Sequence, residues 1–86
     1  MEIILFEDAI EDFNFWKKSG NKSIQKKIEQ LFISTLETPF EGLGKPEPLR
    51  YDLSGKWSRR ITKKDRMVYE VSEKTIKVYS LRGHYE

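Results

Sequence analysis

Apolar positions along the chain change their spacing from segment to segment, and the spacing predicts the elements. Glu2–Phe6 (EIILF) is a short, nearly continuous apolar run, the pattern of a short buried strand. In the next segment, EDAIEDFNFWKK, Ala9, Ile10, Phe13 and Trp16 recur at helical spacing and fall on one face. Acidic residues open that segment and lysines close it, which suits the helix dipole. Ser19–Asn21 (SGN) breaks the pattern. KSIQKKIEQLFISTLET then places Ile24, Ile28, Leu31, Phe32 and Thr35 at i, i+4, i+7, i+8 and i+11, a strongly amphipathic helix. Pro39 ends it. Two helices joined by so short a break predict an antiparallel hairpin lying on a sheet.

Pro39–Pro48 (PFEGLGKPEP) reads as a loop stiffened by its prolines. After it the period becomes two. LRYDL, WSRRIT, MVYEVS and TIKVYSL are strand-like, and the breaks SGK, KKD and SEK have hairpin lengths. The predicted order is β-α-α-β-β-β-β. This is an α+β fold, an antiparallel sheet packed on an α-hairpin, with residues 1–86 forming one domain. The apolar start is too short for a signal peptide or a membrane span.

Hairpin arithmetic gives a coarse register. A turn near Ser72–Lys74 sets Arg66 opposite Leu81 or Arg82. One near Lys63–Asp65 sets Arg66 beside the end of WSRRIT. One near Ser54–Lys56 sets Glu47 level with Thr62 or Lys63. Glu47, Lys63, Lys64, Arg66, Arg82 and His84 are thereby expected at one end of the sheet. Glu47 and His84 would flank opposite outer strands, about 14 Å apart across a flat sheet.

Charge and composition sharpen this picture. Residues 1–43 carry five Lys/Arg against eight Asp/Glu, and residues 44–86 eleven against six, so the second half is the basic one. A basic face suits an anionic partner, although solvating charge alone gives the same count. There is no cysteine and a single histidine, His84, so disulfides and thiolate zinc sites are excluded. No tight carboxylate cluster stands in the sequence for another metal, and no cofactor is expected. A reducing, cytoplasmic setting is the simple expectation.

A carboxylate, an arginine and a histidine on one basic face match metal-free RNA cleavage. A base takes the ribose 2′-OH proton, an acid protonates the departing 5′-oxygen, and a cation neutralises the phosphoryl oxygens. Glu47 suits the base, His84 the acid and Arg66 the phosphate, whose oxygens its planar fork matches. Tyr85 could donate a hydrogen bond to the phosphate or stack on a base. Plainer roles compete. His84 could be a solvated terminal side chain, Glu47 a loop carboxylate, and Arg66 a surface partner of Asp65 or Glu70. Arg59 and Arg60 alternate faces, so one of them could pair with a helix acid. Trp16 and Trp57 fit the core.

TPFEGLGKPEPLRYDLSGKWSRRIT, DRMVYEV and the terminal RGHYE strongly resemble the YoeB (Txe) toxins of the RelE/ParE superfamily, and the likeness extends to IILFEDAIEDFNFW at the start. The resemblance implies a RelE/YoeB-like, microbial ribonuclease-type fold. It implies the toxin of a bacterial type II toxin–antitoxin pair, acting as a ribosome-dependent mRNA interferase in the ribosomal A site. By motif, the base falls on Glu47, the transition-state arginine on Arg66, the acid on His84, and Tyr85 completes the terminal pair. Lys45, Arg50, Arg60 and Arg82 fall on basic positions that touch mRNA or ribosomal RNA. The partner implied is a YefM/Axe-type antitoxin, which covers the active face with an acidic segment and co-represses the operon. A homodimer is implied as well. One departure is the turn Lys63-Lys64-Asp65, where family members often carry acids. The two lysines there could strengthen RNA contact. Two other readings stay open: a non-catalytic A-site occupant that stalls translation, and a ParE-like gyrase inhibitor.

Overall fold

The chain's punctuation determines where each element starts and stops. A computed structural model describes residues 1–83. It has β1 (Glu2–Leu5), α1 (Glu7–Ser19), α2 (Lys22–Glu37), β2 (Glu47–Pro48), a 3-10 turn (Tyr51–Leu53), β3 (Trp57–Arg60), β4 (Arg66–Ser72) and β5 (Thr75–Gly83). Glu7 and Asp8 occupy the first turn of α1 and Lys17 and Lys18 the last. Gly20 then takes φ +75°, the left-handed conformation that stops a helix at least cost. Asn21 restarts the chain as the N-cap of α2, its side-chain oxygen accepting the Ile24 N–H at 3.2 Å.

The core lies between the two helices and one face of the sheet. Ala9 and Trp16 enter from α1, and Ile28 and Leu31 from α2. Met67, Tyr69, Ile76, Val78 and Leu81 meet them from the strands. Thr35, also fully buried, satisfies its hydroxyl on the Leu31 carbonyl at 2.7 Å. Ile24 and Phe32 pack at the margin. Ile10 departs from the expected apolar face of α1: it is about half exposed, and the polar Asp12 takes an inward place instead.

The sheet order is β1-β5-β4-β3-β2. The last four strands make the expected antiparallel meander. β1 pairs with β5 in parallel, Glu2 level with Thr75, so the sheet is mixed. Parallel pairing follows from the path, because the chain crosses over through both helices before the meander begins. β1 is accordingly an edge strand and only half buried. β5 is an interior strand as far as Val78, where its pairing with β1 ends.

The segment LRYDL is not a strand. Tyr51–Leu53 forms the 3-10 turn, and Tyr51 adopts φ +58°. The β2–β3 hairpin therefore closes around residues 50–55, with Leu49 N–H donating to Lys56 O at 2.8 Å. Glu47 then lies level with Ser58 rather than with Thr62 or Lys63. Because Leu49 points its N–H at β3, alternation turns Pro46 and Pro48 outward along the edge. Their missing N–H groups cost no ladder bond there, and they blunt the edge against further strand pairing.

Candidate active site on the open face of the sheet

Strand alternation sorts the basic residues onto two faces. Arg59 follows Met67 and Tyr69 onto the helix side, whereas Ser58, Arg60 and Arg66 share the opposite face with Glu47. On that open face Arg66 Nη1 donates to Glu47 Oε1 at 2.9 Å. The Arg66 side chain is 17% exposed and that of Glu47 57%. Arg66 is thus seated in the sheet while the carboxylate remains open to a ligand. Asp65 and Glu70, the plainer partners for Arg66, are engaged elsewhere. Asp65 accepts the Thr62 hydroxyl at 2.9 Å, and Glu70 accepts the Tyr79 phenol at 2.7 Å. That bond, then burial, and then the Glu70 charge push the Tyr79 phenol above its ordinary value.

Arg60 lies directly across from Arg66 on β3, and among the described residues it has no carboxylate partner. Like charges facing one another across strands are unfavourable unless an anion lies between them. Beside Arg60 a groove of about 280 Å³ opens between α2, the loop before β2 and the β3–β4 turn. Lys27, Lys45, Arg60 and Lys63 line it together with Gly44, Ile61 and Thr62. Lys45 holds φ +51°, a strained conformation two residues before Glu47. Lys27 was not marked by the sequence, because a lysine on a helix's polar face carries no signal of what stands opposite it.

Not every expected residue comes to this place. Arg50 begins the 3-10 turn at the far end of the β2–β3 hairpin, away from Arg60 and Arg66. Arg82 is turned toward α1, its guanidinium carbon 3.5 Å from the centre of the Phe15 ring. Lys64 is exposed at the tip of the β3–β4 turn, where its backbone N–H is held by the Thr62 hydroxyl at 3.1 Å. His84 and Tyr85 lie outside the described residues. Gly83, the residue before them, is level with Arg66.

Arg59 overturns the expected salt bridge with a helix acid. It is fully buried and has no acidic partner among the described residues. Nη1 donates to Ser34 Oγ and Leu43 O, both at 2.9 Å. Nη2 donates to Thr38 O at 2.6 Å and Glu41 O at 2.9 Å, and Nε to the Tyr69 hydroxyl at 3.1 Å. The negative end of the α2 dipole and three carbonyls replace a carboxylate. The Tyr69 hydroxyl in turn donates a hydrogen bond to Pro39 O at 2.7 Å. Burial pushes its phenol above the ordinary value, and Arg59 pulls it partly back. The loop wraps so closely that a Cβ at Gly44 would stand 2.7 Å from Leu31 Cδ2 and 3.0 Å from Arg59 Cβ. Arg60 N–H fastens the same loop to Gly44 O at 2.7 Å. Three residues later the chain reaches Glu47, so the buried arginine fixes the path that delivers the carboxylate.

Known proteins resemble this chain in sequence and fold over nearly their whole length. Residues 5–85 match the model of a family described as YoeB-like toxin of bacterial type II toxin-antitoxin system. Toxin YoeB of Escherichia coli (strain K12) is 46% identical over 85 residues, covering 99% of this chain and 100% of that protein. Among solved structures, the YoeB/ParE toxin from Agrobacterium tumefaciens superposes with a TM-score of 0.93 at 40% identity, covering 99% of this chain and 100% of that one. The toxin of a YoeB-YefM complex from Staphylococcus aureus does so with a TM-score of 0.87 at 39% identity, covering 96% of this chain and 95% of that one. Fold, family model and sequence identity agree: the chain belongs to the YoeB toxin family of bacterial type II toxin–antitoxin systems.

Proposed function

We propose that the protein is a ribosome-dependent endoribonuclease that cuts mRNA in the A site without a metal ion. The observation that carries this reading is the Glu47–Arg66 pair at 2.9 Å on an open face, with Arg60 unpaired beside it. A carboxylate and a seated guanidinium side by side supply a proton acceptor and an anion clamp. The substrate phosphate displaces Glu47 from Arg66 and takes both arginines. Glu47 then removes the 2′-OH proton as the 2′-oxygen attacks phosphorus. The bond to the 5′-oxygen breaks, and that oxygen takes its proton from His84. The products are a 2′,3′-cyclic phosphate and a free 5′-OH. Each proton-transfer role typically supplies about 10²–10⁴-fold in rate. The groove beside Arg60 offers Lys45 and Lys63 to neighbouring phosphates. A YefM/Axe-type antitoxin with an acidic segment is the partner such a basic face suits.

Primer extension on a translated mRNA tests this reading with wild type, Glu47→Gln and His84→Ala. Sharp stops on ribosome-bound mRNA are expected for wild type, weakened by about 10²-fold or more in each variant. A 2′-deoxy nucleotide at the cut site should block the reaction. Equal cutting of the deoxy substrate would refute 2′-oxygen attack. Translation arrest without cleavage, retained in both variants, would make the protein a non-catalytic occupant of the site.

A further inference from the structure

Two serines on the open face share one defect. Ser58 of β3 and Ser80 of β5 each lie across from Val68 of β4. Both hydroxyl oxygens are buried, and among the described residues neither has a hydrogen-bond partner. An orphaned buried hydroxyl destabilises the fold, and natural proteins keep few of them. Such a group is retained most readily where it serves a second state of the site.

Ser58 has a carboxylate within reach. It is the cross-strand partner of Glu47, on the same face of the β2–β3 pair. The alternation counted from Leu49 makes 47–58 a hydrogen-bonded pair, with Cα atoms about 5.5 Å apart. Yet Glu47 does not accept the Ser58 proton, because its carboxylate is turned to Arg66. β3 lies between β2 and β4, so the Glu47–Arg66 pair crosses β3 on the face that Ser58 occupies. The Glu47–Arg66 pair is therefore closed on itself, and the serine beside it is left without an acceptor.

Resting on the reading of Glu47 as the base, the geometry points to Ser58 as the second partner of that carboxylate. When a phosphate takes Arg66, the freed Glu47 accepts the Ser58 hydroxyl with one oxygen. The other oxygen then faces the 2′-OH. The exchange gains one hydrogen bond within the site: Arg66–Glu47 and an orphan become Arg66–phosphate and Ser58–Glu47. Ser58 acts through Glu47 and is a positioning residue. Ser80 lies two strands from Ser58, on the far side of β4, and has no such role.

Single-turnover cleavage of ribosome-bound mRNA, measured across toxin concentrations, tests the exchange alongside thermal unfolding of the same full-length proteins. Ser58→Ala should lower the maximal rate by about tenfold while leaving the half-saturating concentration in place. Its melting temperature should equal or exceed that of wild type, since an unpaired hydroxyl is removed. Ser80→Ala should match wild type in rate. In a Glu47→Gln background Ser58→Ala should cost nothing further, the mark of residues acting as one unit. A wild-type maximal rate in Ser58→Ala overturns the exchange. So does a loss that follows a fall in melting temperature, or an equal loss in Ser80→Ala. Glu47→Gln separates the two levels. If it is inactive while Ser58→Ala is fully active, only the exchange is wrong. If it cleaves normally, the base assignment itself is wrong.

Discussion

Arg59 and Arg66 are seven positions apart and have opposite fates. Arg66 is held in the sheet with its fork on a half-open carboxylate, and Arg59 is sealed among carbonyls. The sequence showed that Arg59 and Arg60 face opposite ways but not which one the fold would bury. A buried cation usually announces itself by an acid at the right spacing. Here the counter-charge is spread over a helix end and a loop, neither of which has a side-chain signature. The available hints were Ser34 on an otherwise apolar stretch of α2 and the two close-packed glycines, Gly42 and Gly44. Arg59→Met should destabilise the fold by about 3 kcal/mol or more, because the carbonyls of Thr38, Glu41 and Leu43 would lose their buried donor. Arg59→Lys should recover only part, since an ammonium cannot span the sites of a planar fork. Urea unfolding measures both. Near-wild-type midpoints for Arg59→Met would mean that water serves those carbonyls as well as the guanidinium does.

At the scale of elements, the α1–β5 contact governs how the chain approaches His84. β1 ends at Leu5, and Phe6 N–H makes the last bond to β5, at Val78 O. Past that point β5 has no strand on its outer side. α1 supplies the missing partners: Asp12 Oδ2 accepts Leu81 N–H at 2.9 Å, and Trp16 Nε1–H donates to Leu81 O at 2.8 Å. Arg82 over Phe15 adds a third hold. The strand is thus fixed three residues before the proposed proton donor. Helical periodicity made Trp16 legible as a core residue, but nothing in the sequence singled out Asp12, because a carboxylate that caps a neighbouring strand breaks no helical pattern. The two-residue Glu73-Lys74 hairpin was equally legible from its polar break. The β2–β3 hairpin was not, because Tyr51 takes a left-handed conformation that its residue type does not advertise. Asp12→Ala should cost about 1–2 kcal/mol by orphaning the Leu81 N–H. It should also slow cleavage by more than Asp12→Asn, whose amide oxygen can still accept. Chemical denaturation and primer extension on the same preparations separate the two effects. Equal rates in the two variants would show that the end of β5 is held by other means.

At the scale of the whole molecule, the basic surplus of the second half gathers where two arginines already face each other. Lys45, Arg60 and Lys63 come from that half, and Lys27 joins them from an acidic half whose charge the sequence averages away. Among the described residues none of these four has a carboxylate partner, so their field is not cancelled locally. A concave site lined by cations focuses that field and draws a polyanion toward the adjoining Glu47–Arg66 pair. Such binding is governed by counterion release: each neutralised phosphate contributes about 0.7–0.9 to the slope of log affinity against log salt. Lys27→Gln combined with Lys63→Gln should therefore weaken association with mRNA-loaded ribosomes most at low salt. It should also flatten the slope by roughly one unit for each phosphate that the two lysines neutralise in the wild type. A filter-binding series across salt concentration gives both numbers for wild type and the double variant. If the two lines run parallel, the lysines do not touch phosphate, and the groove's charge serves another anion. If the slope falls while Arg60 and Arg66 remain in place, the groove is the track along which RNA reaches the open face of the sheet.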